Sequence, residues 1–360
     1  MATISLIPDS STSKIGTVWR DIALDSEHTF FLSWPWIETW LRNLPAGVQP
    51  HLLLISEEGL PIGIGVLVER FSRRWGRTVR TWNLNTVGDK QLDQIFIENN
   101  GLLVRHGYED VAWRAWASAF AGRSDGPTEI ALRGIPPETL KFWRLPFLKT
   151  HEDMILTAPY ADLSQIRGLG KPVVDFLGQN TRARVRSTRR WLEKEYGQVE
   201  MSTAATVTEA LAFFGELGVL HQRRWGARGA FGNSFFEQFH TALIRAQFDD
   251  GVIQMIKVKA GSAVVALLYN FVYRNCVSMY QTGVNYDLIE APNKRSPGLL
   301  THAIAMQHNT DLGHSRYDFL AGDGQYKRAF STSSYKLWWG SIRRTSNRFR
   351  LANLFRPSVR

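Results

Sequence analysis

The stretch that decides the fold reads Val277-Ser-Met-Tyr-Gln-Thr-Gly283, Asn293-Lys-Arg-Ser-Pro-Gly298, Leu299-Leu-Thr-His-Ala-Ile-Ala-Met306 and Tyr317-Asp-Phe-Leu-Ala-Gly322. Its pattern is strand, loop, helix, strand, which predicts a mixed sheet in which one helix crosses between adjacent strands. In the loop, serine, proline and glycine ahead of a helix leave backbone N–H groups exposed at its N-terminus. Lys294 and Arg295 reinforce the positive end, which is the physical form of a phosphate site. The same residues also make an ordinary helix start, so the loop alone leaves both readings open. The second strand ends in Asp323-Gly-Gln-Tyr-Lys-Arg328, and polar residues at that end of a strand stand where α/β sheets place ligands.

Working outward, three consecutive strands are expected at 252–260, 263–273 and 276–284, with tight turns at Gly261-Ser262 and Arg274-Asn275. Helices are expected near 206–223 and 233–249 before them, and at 297–310 after them. A strand at 315–320, a short helix near 325–330 and a strand at 334–344 complete this half. Toward the start, Phe30-Phe-Leu-Ser-Trp-Pro-Trp-Ile-Glu-Thr-Trp-Leu-Arg42 predicts a helix with Ser33 as N-cap and Pro35 in its first turn. The runs 51–56 and 61–68 form a hairpin about Glu58-Gly59, with further strands around 78–84, 94–97 and 128–132 and a helix at 109–121. The two halves rhyme loosely, which admits a duplicated fold. The class is α+β (mixed α/β). The expected organisation is a first unit over 1–160, a basic helical connector over 161–196, a second unit over 197–345 and a basic tail over 346–360.

The chain has 360 residues with 44% apolar and 21% charged side chains, a soluble globular composition that excludes wholesale disorder. Its net charge of +10 calls for an anionic partner: nucleic acid, a membrane surface or a phosphate-bearing small molecule. The surplus falls in two segments. Residues 171–190 carry Lys171, Arg182, Arg184, Arg186, Arg189 and Arg190 against Asp175, and residues 341–360 carry six arginines and no acid. Arg182, Arg186 and Arg189 share one helix face, which serves either as a solvated surface or for anion binding. Cys276 is the single cysteine, so no intramolecular disulfide forms. No basic leader precedes a long apolar run, and no stretch approaches the roughly 20 apolar residues of a membrane span. A cytoplasmic location is expected.

The motif Asp318-Phe-Leu-Ala-Gly-Asp-Gly-Gln-Tyr-Lys327 resembles the signature of acetyltransferase-like proteins of the GNAT superfamily, in the branch linked to cellulose and exopolysaccharide biosynthesis. It is also similar to the FemAB peptidoglycan aminoacyl transferases. Phe31-Leu-Ser-Trp-Pro-Trp36 resembles the other marker of that branch, and the similarity spans about residues 25–345. The resemblance implies two tandem GNAT-like units, each a mixed, mainly antiparallel sheet flanked by helices, with an acyl donor on the second. It implies acetyl-CoA or another acyl-CoA as co-substrate and no metal. The donor's pyrophosphate would be held by Lys294, Arg295, Ser296, Gly298, Leu299 and Leu300. The superfamily's second glycine is missing from Arg295-Ser-Pro-Gly-Leu-Leu300, which puts the donor in question, since FemAB relatives use aminoacyl-tRNA.

By the same resemblance Tyr326 protonates the leaving group and Lys327 stabilises an oxyanion or phosphate. Asp323 and Asp318 are the candidate bases or substrate anchors. Trp34, Trp36, Arg186 and Trp225 are candidates for the acceptor cleft, the tryptophans of the first unit having core packing as their other reading. The acceptor is a small molecule or glycan, with nucleic acid entering only as tRNA. Three functions follow: acyl-CoA-dependent N- or O-acyltransfer to a sugar or polysaccharide precursor, aminoacyl-tRNA-dependent transfer, or a non-catalytic accessory binding protein of polysaccharide biosynthesis. The histidines have no zinc-binding spacing, and neither a Gly-x-Ser-x-Gly elbow nor a Walker loop is present.

Overall fold

The computed structural model describes residues 2–8, 12–74, 76–123, 125–289 and 295–345. The chain divides into two units, Met1–Ile155 with Lys336–Arg360, and Leu156–Tyr335. The expected tail, 346–360, lies outside the described residues.

The first unit contains β1 (Ala2–Pro8), α1 (Thr12–Leu24), α2 (Trp34–Asn43), β2 (Pro50–Glu57), β3 (Leu60–Arg74), β4 (Arg77–Leu84), β5 (Leu103–Val104), α3 (Glu109–Gly122), β6 (Glu129–Ile135) and the first half of β7 (Leu148–Asp162). The second takes the rest of β7 with α4 (Leu163–Gly168), α5 (Val173–Phe176), α6 (Gln179–Tyr196), β8 (Val199–Thr203), α7 (Val207–Trp225) and α8 (Ser234–Gln247). It continues with β9 (Ile253–Ala260), β10 (Ala263–Tyr273), β11 (Cys276–Val284), α9 (Pro297–Asp311), β12 (Arg316–Asp318) and α10 (Gln325–Phe330). A final strand, β13 (Ser333–Arg344), returns to the first unit.

Each unit repeats one plan. In the first, the order is β1-β2-β3-β4-β6-β13, antiparallel except for the parallel pair β4–β6. In the second, it is β8-β9-β10-β11-β12-β7, antiparallel except for the parallel pair β11–β12. A helix, α3 or α9, makes the crossover between the parallel strands. The loose rhyme of the halves is thus a duplication of topology, with mixed sheets flanked by helices.

The closing strand of each sheet comes from a distance. Trp338 pairs with Ile135 and Gly340 with Leu132, so β13 belongs with β6 and not, as the division at 197–345 has it, with the second unit. β7 supplies the edge beside β12, pairing Asp162 with Arg316. This 15-residue strand was not expected. Its first half, Leu148–Ile155, is largely exposed and shows no apolar alternation.

The turn at Glu58-Gly59 forms as expected, with both residues at positive φ, and so does Arg274-Asn275. The expected strand at 94–97 does not form. Residues Leu92–Ile95 make a 3₁₀ turn, because the Asp93 carboxylate accepts the N–H groups of Val87, Gly88 and Asp89 at 2.7, 2.8 and 3.2 Å and coils the chain around itself. The second core gathers Val185 and Leu192 of α6, Val258 of β9, Val277 and Met279 of β11, and Leu300 and Met306 of α9. α7 crosses β11 closely: a Cβ on Gly283 would meet the Leu217 carbonyl oxygen at 2.9 Å.

Candidate active site

β11 and β12 stay together for three residue pairs only: Cys276–Arg316, Val277–Tyr317 and Ser278–Asp318. β11 runs on to Val284, so from Met279 its edge on this side has no strand partner among the described residues. On the other edge the register against β10 slips. Tyr269 faces Gln281 and Asn270 faces Met279, which leaves Tyr280 as an extra residue. Such a bulge bends a strand and increases its twist, and it falls where β11 parts from β12.

α9 begins beside the end of β11, with Gly298 next to Val284. Pro297 has no N–H. The Ser296 N–H donates to Thr188 Oγ1 at 3.0 Å, and the Leu300 N–H donates to the Ser296 carbonyl at 3.2 Å. Ser296 and Leu300 therefore use their N–H groups inside the protein. Gly298 and Leu299 are left as the first-turn donors without a partner among the described residues. Lys294 lies outside the described residues. The Arg295 guanidinium sits over the Trp191 ring at 5.6 Å. Thr188 and Trp191 both belong to α6, so the arginine helix abuts the loop although the two are more than a hundred positions apart in the sequence. The counterpart helix α3 opens with Glu109 and Asp110, which repel an anion, whereas α9 has no acid in its first turn.

α10 brings Tyr326 to the site. Its ring lies on the His302 imidazole of α9, with centroids 5.0 Å apart and an interplanar angle of 10°. Phe319, just past β12, meets both rings edge-on. Burial pushes the Tyr326 hydroxyl up to about 12, against the pull of the Arg224 charge, with Tyr286 adding a smaller push. His302 is buried, with no hydrogen bond to Nδ1 among the described residues. Burial, then the charge of Lys327, lowers its pKa to about 3, so the imidazole is neutral at pH 7.

Lys327 faces inward. Its Nζ donates to the carbonyls of Ala321 at 2.8 Å and Leu320 at 3.2 Å, holding the turn where Leu320 and Gly322 take positive φ. These contacts brace the turn between β12 and α10. Asp318 is buried in an ion pair with Arg316 at 2.8 Å and accepts the Leu320 N–H at 2.9 Å. Arg316 in turn lies 3.7 Å from the Tyr160 ring centroid. Burial raises the Asp318 pKa, and the Arg316 charge opposes it. As a base it is closed off by these partners. Asp323 is exposed and pairs with Arg328. With Thr157, Ser331, Thr332, Ser333 and Ser334 it lines a hydroxyl-rich hollow of about 370 Å³.

Sequence reasoning missed Arg224. Its guanidinium lies between the Tyr286 ring at 4.7 Å and the Trp225 ring at 5.0 Å. Arg223 beside it is neutralised by Asp287 at 2.7 Å, but no carboxylate pairs with Arg224 among the described residues. Trp225, a candidate for the acceptor cleft, is half exposed and lies against this guanidinium. The other acceptor candidates are elsewhere. Arg186, two residues before Thr188 on α6, is engaged by Asp175 of α5. Trp34 and Trp36 pack into the first unit, Trp36 being 1% exposed, with Phe30 and Phe31 edge-on to it. Packing claims them, and neither presents a face to a ligand. His221 of α7 is likewise buried, against Phe231. Among the described residues no three His, Cys, Asp or Glu side chains cluster to hold a metal ion, and no helix is long and apolar enough to cross a membrane.

No curated protein matches the sequence. Among solved structures, the chain resembles FemX (TM-score 0.58, 12% identity), covering 98% of this chain and 99% of that one. It resembles the C-terminal domain of a putative lysylphosphatidylglycerol synthetase from Agrobacterium fabrum (TM-score 0.52, 11% identity, 96% and 95% covered). The L-PGS of Bacillus licheniformis matches similarly (TM-score 0.51, 9% identity, 93% and 94% covered). At these identities the likeness is one of fold. Residues 179–328 match the family model described as an acetyltransferase (GNAT) domain. That span, part of the second unit, contains the parted strands, the start of α9 and Tyr326.

Proposed function

We propose that the second unit transfers an acyl group from acyl-CoA to an amine or hydroxyl, in the cytoplasm, with a sugar or polysaccharide precursor as acceptor. The observation that carries this is the parting of β11 from β12 after Ser278, with Gly298, Leu299 and Tyr326 around it. An unpaired strand edge offers N–H and C=O groups to an extended, amide-bearing ligand, and the pantetheine arm of CoA is one. The N–H groups of Gly298 and Leu299, without a partner among the described residues, suit its pyrophosphate. Tyr326, protonated at neutral pH, donates a hydrogen bond to the sulfur as the thioester breaks. Its raised pKa makes full proton transfer to a thiolate uphill, and the Arg224 charge counters this.

Stabilisation against heat by acetyl-CoA, longer acyl-CoAs and free CoA tests the donor. No shift with any of them at millimolar concentration overturns the reading. Given binding, Tyr326→Phe lowers kcat by about 10- to 100-fold, toward the low end of general-acid effects, with donor affinity unchanged.

The second reading, aminoacyl-tRNA as donor, is favoured by one observation: the arginine helix α6 touches the loop before α9 through Thr188 and Trp191. Filter binding of tRNA across a salt series decides it, since phosphate contacts give a steep salt dependence. Absence of binding at low salt removes it.

A further inference from the structure

The bulge at Tyr280 is held by a side chain that neither the motif nor the family match singles out. His240 of α8 is fully buried among Phe214, Phe236, Phe239 and Phe271. Its Nε2 lies 3.0 Å from the Tyr280 hydroxyl and its Nδ1 3.3 Å from the Tyr269 hydroxyl. These two tyrosines are the residues at which the β10–β11 register slips: Tyr269 is the last β10 residue before the shift, and Tyr280 is the residue in excess. Burial lowers the His240 pKa well below the ordinary value. The neutral ring has one N–H and one lone pair. One tyrosine therefore accepts from it and the other donates to it. Phenylalanine would fill the same aromatic cage without the cost of burying a polar ring, so packing does not explain a histidine here.

We infer that His240 is a positioning residue for the acyl-transfer site: by clamping Tyr269 and Tyr280 it fixes the β11 bulge and so the place where the strand leaves β12. The inference rests on the acyltransferase reading, because it assigns the unpaired main chain beyond Ser278 to the donor's acyl end. The phosphate donors Gly298 and Leu299 lie on another element. Loss of the clamp therefore disturbs turnover and leaves donor binding in place.

The test uses the full chain with His240→Leu, His240→Gln and Tyr280→Phe. Gln has both a donor and an acceptor and restores one or both bridges; Leu has neither. With a competent acceptor, His240→Leu lowers kcat by tens of fold, within the roughly 100-fold that a misplacement of about 1 Å costs. KM for acyl-CoA changes less than about twofold, and His240→Gln recovers part of kcat. Equal kcat in Leu and Gln variants, or a change confined to KM, overturns the inference. Amide hydrogen exchange supplies a readout independent of activity: residues 279–282 exchange faster in His240→Leu while β9 stays protected. Unchanged exchange at 279–282 overturns the clamp. If the wild type binds no CoA, the acyltransferase reading fails, and the exchange data still decide whether His240 holds the bulge.

Discussion

The imidazole of His302 lies nearly parallel to the ring of Tyr326, 10° off and 5.0 Å between centroids, and that imidazole cannot carry a proton at neutral pH. Burial and Lys327 together hold its pKa near 3. The unfolded chain titrates the same group near 6.5, so between pH 6.5 and pH 3 the unfolded state binds the extra proton. Stability therefore rises with pH across that window and falls as acid is added. His302→Phe keeps the stacked ring and removes the titration. Relative to it, the wild type loses stability on acidification by up to about 1.4 kcal/mol per pH unit. Urea unfolding of both proteins from pH 4 to pH 7 checks this, and parallel profiles contradict it.

Lys327→Met removes a charge from beside His302 and two donors from the carbonyls of Leu320 and Ala321. The His302 pKa should rise, since the Lys327 charge lowers it, and stability should drop by about 1–3 kcal/mol for the carbonyls left buried. Histidine ring NMR shifts and chemical denaturation measure the two effects separately.

Asp318→Asn leaves the Arg316 guanidinium without its counter-charge while keeping the side chain's size. Breaking a fully buried pair from one side costs about 3–5 kcal/mol; the Arg316 side chain is 35% exposed and Asn retains an acceptor for the Leu320 N–H, so a loss of about 1–2 kcal/mol is expected. The melting temperature should fall while CoA affinity per folded molecule is kept. A loss of affinity with unchanged melting would instead make Asp318 a ligand contact.

Gly283→Ala places a methyl 2.9 Å from the Leu217 carbonyl and 3.1 Å from the Leu220 Cβ. Relief requires α7 to lift from β11, an overpacking cost of about 1–3 kcal/mol. Because α7 carries Arg224, the Tyr326→Phe and Gly283→Ala effects on kcat should be less than additive.

Much of this architecture was legible in the sequence. The strand–helix–strand run at 276–318 and the short helix before Phe330 follow from apolar periodicity and local turn chemistry. Both properties travel with the residues themselves. Tyr326 and Trp225 were legible as candidates because each falls at the end of a predictable element. Arg224 was not, since one arginine among three polar neighbours says nothing of the aromatic rings that fold back around it. Lys327 is expected at an oxyanion or phosphate, and its contacts with the Leu320 and Ala321 carbonyls were not legible, because a lysine's flexible stem hides where its ammonium ends up. The exposed half of β7 has no pattern to read, and the Tyr280 bulge is a relation between two strands. The position of α6 against the loop likewise exists only after folding, in contacts such as Thr188 with Ser296, more than a hundred positions along the chain.

β13 closes the first sheet with residues made after the whole second unit. During synthesis Ile130 and Leu132 have no outer neighbour until residues 338–342 emerge. The ribosome at about 5–20 residues per second leaves that hydrophobic edge bare for on the order of ten seconds or more. An edge of this kind invites intermolecular pairing, and closing a loop of some 200 residues is slow. The second unit, contiguous in the chain, can fold first and bring β13 back toward its partner. A nascent chain stalled before residue 336 should therefore be protease-resistant over the second unit and sensitive over the first.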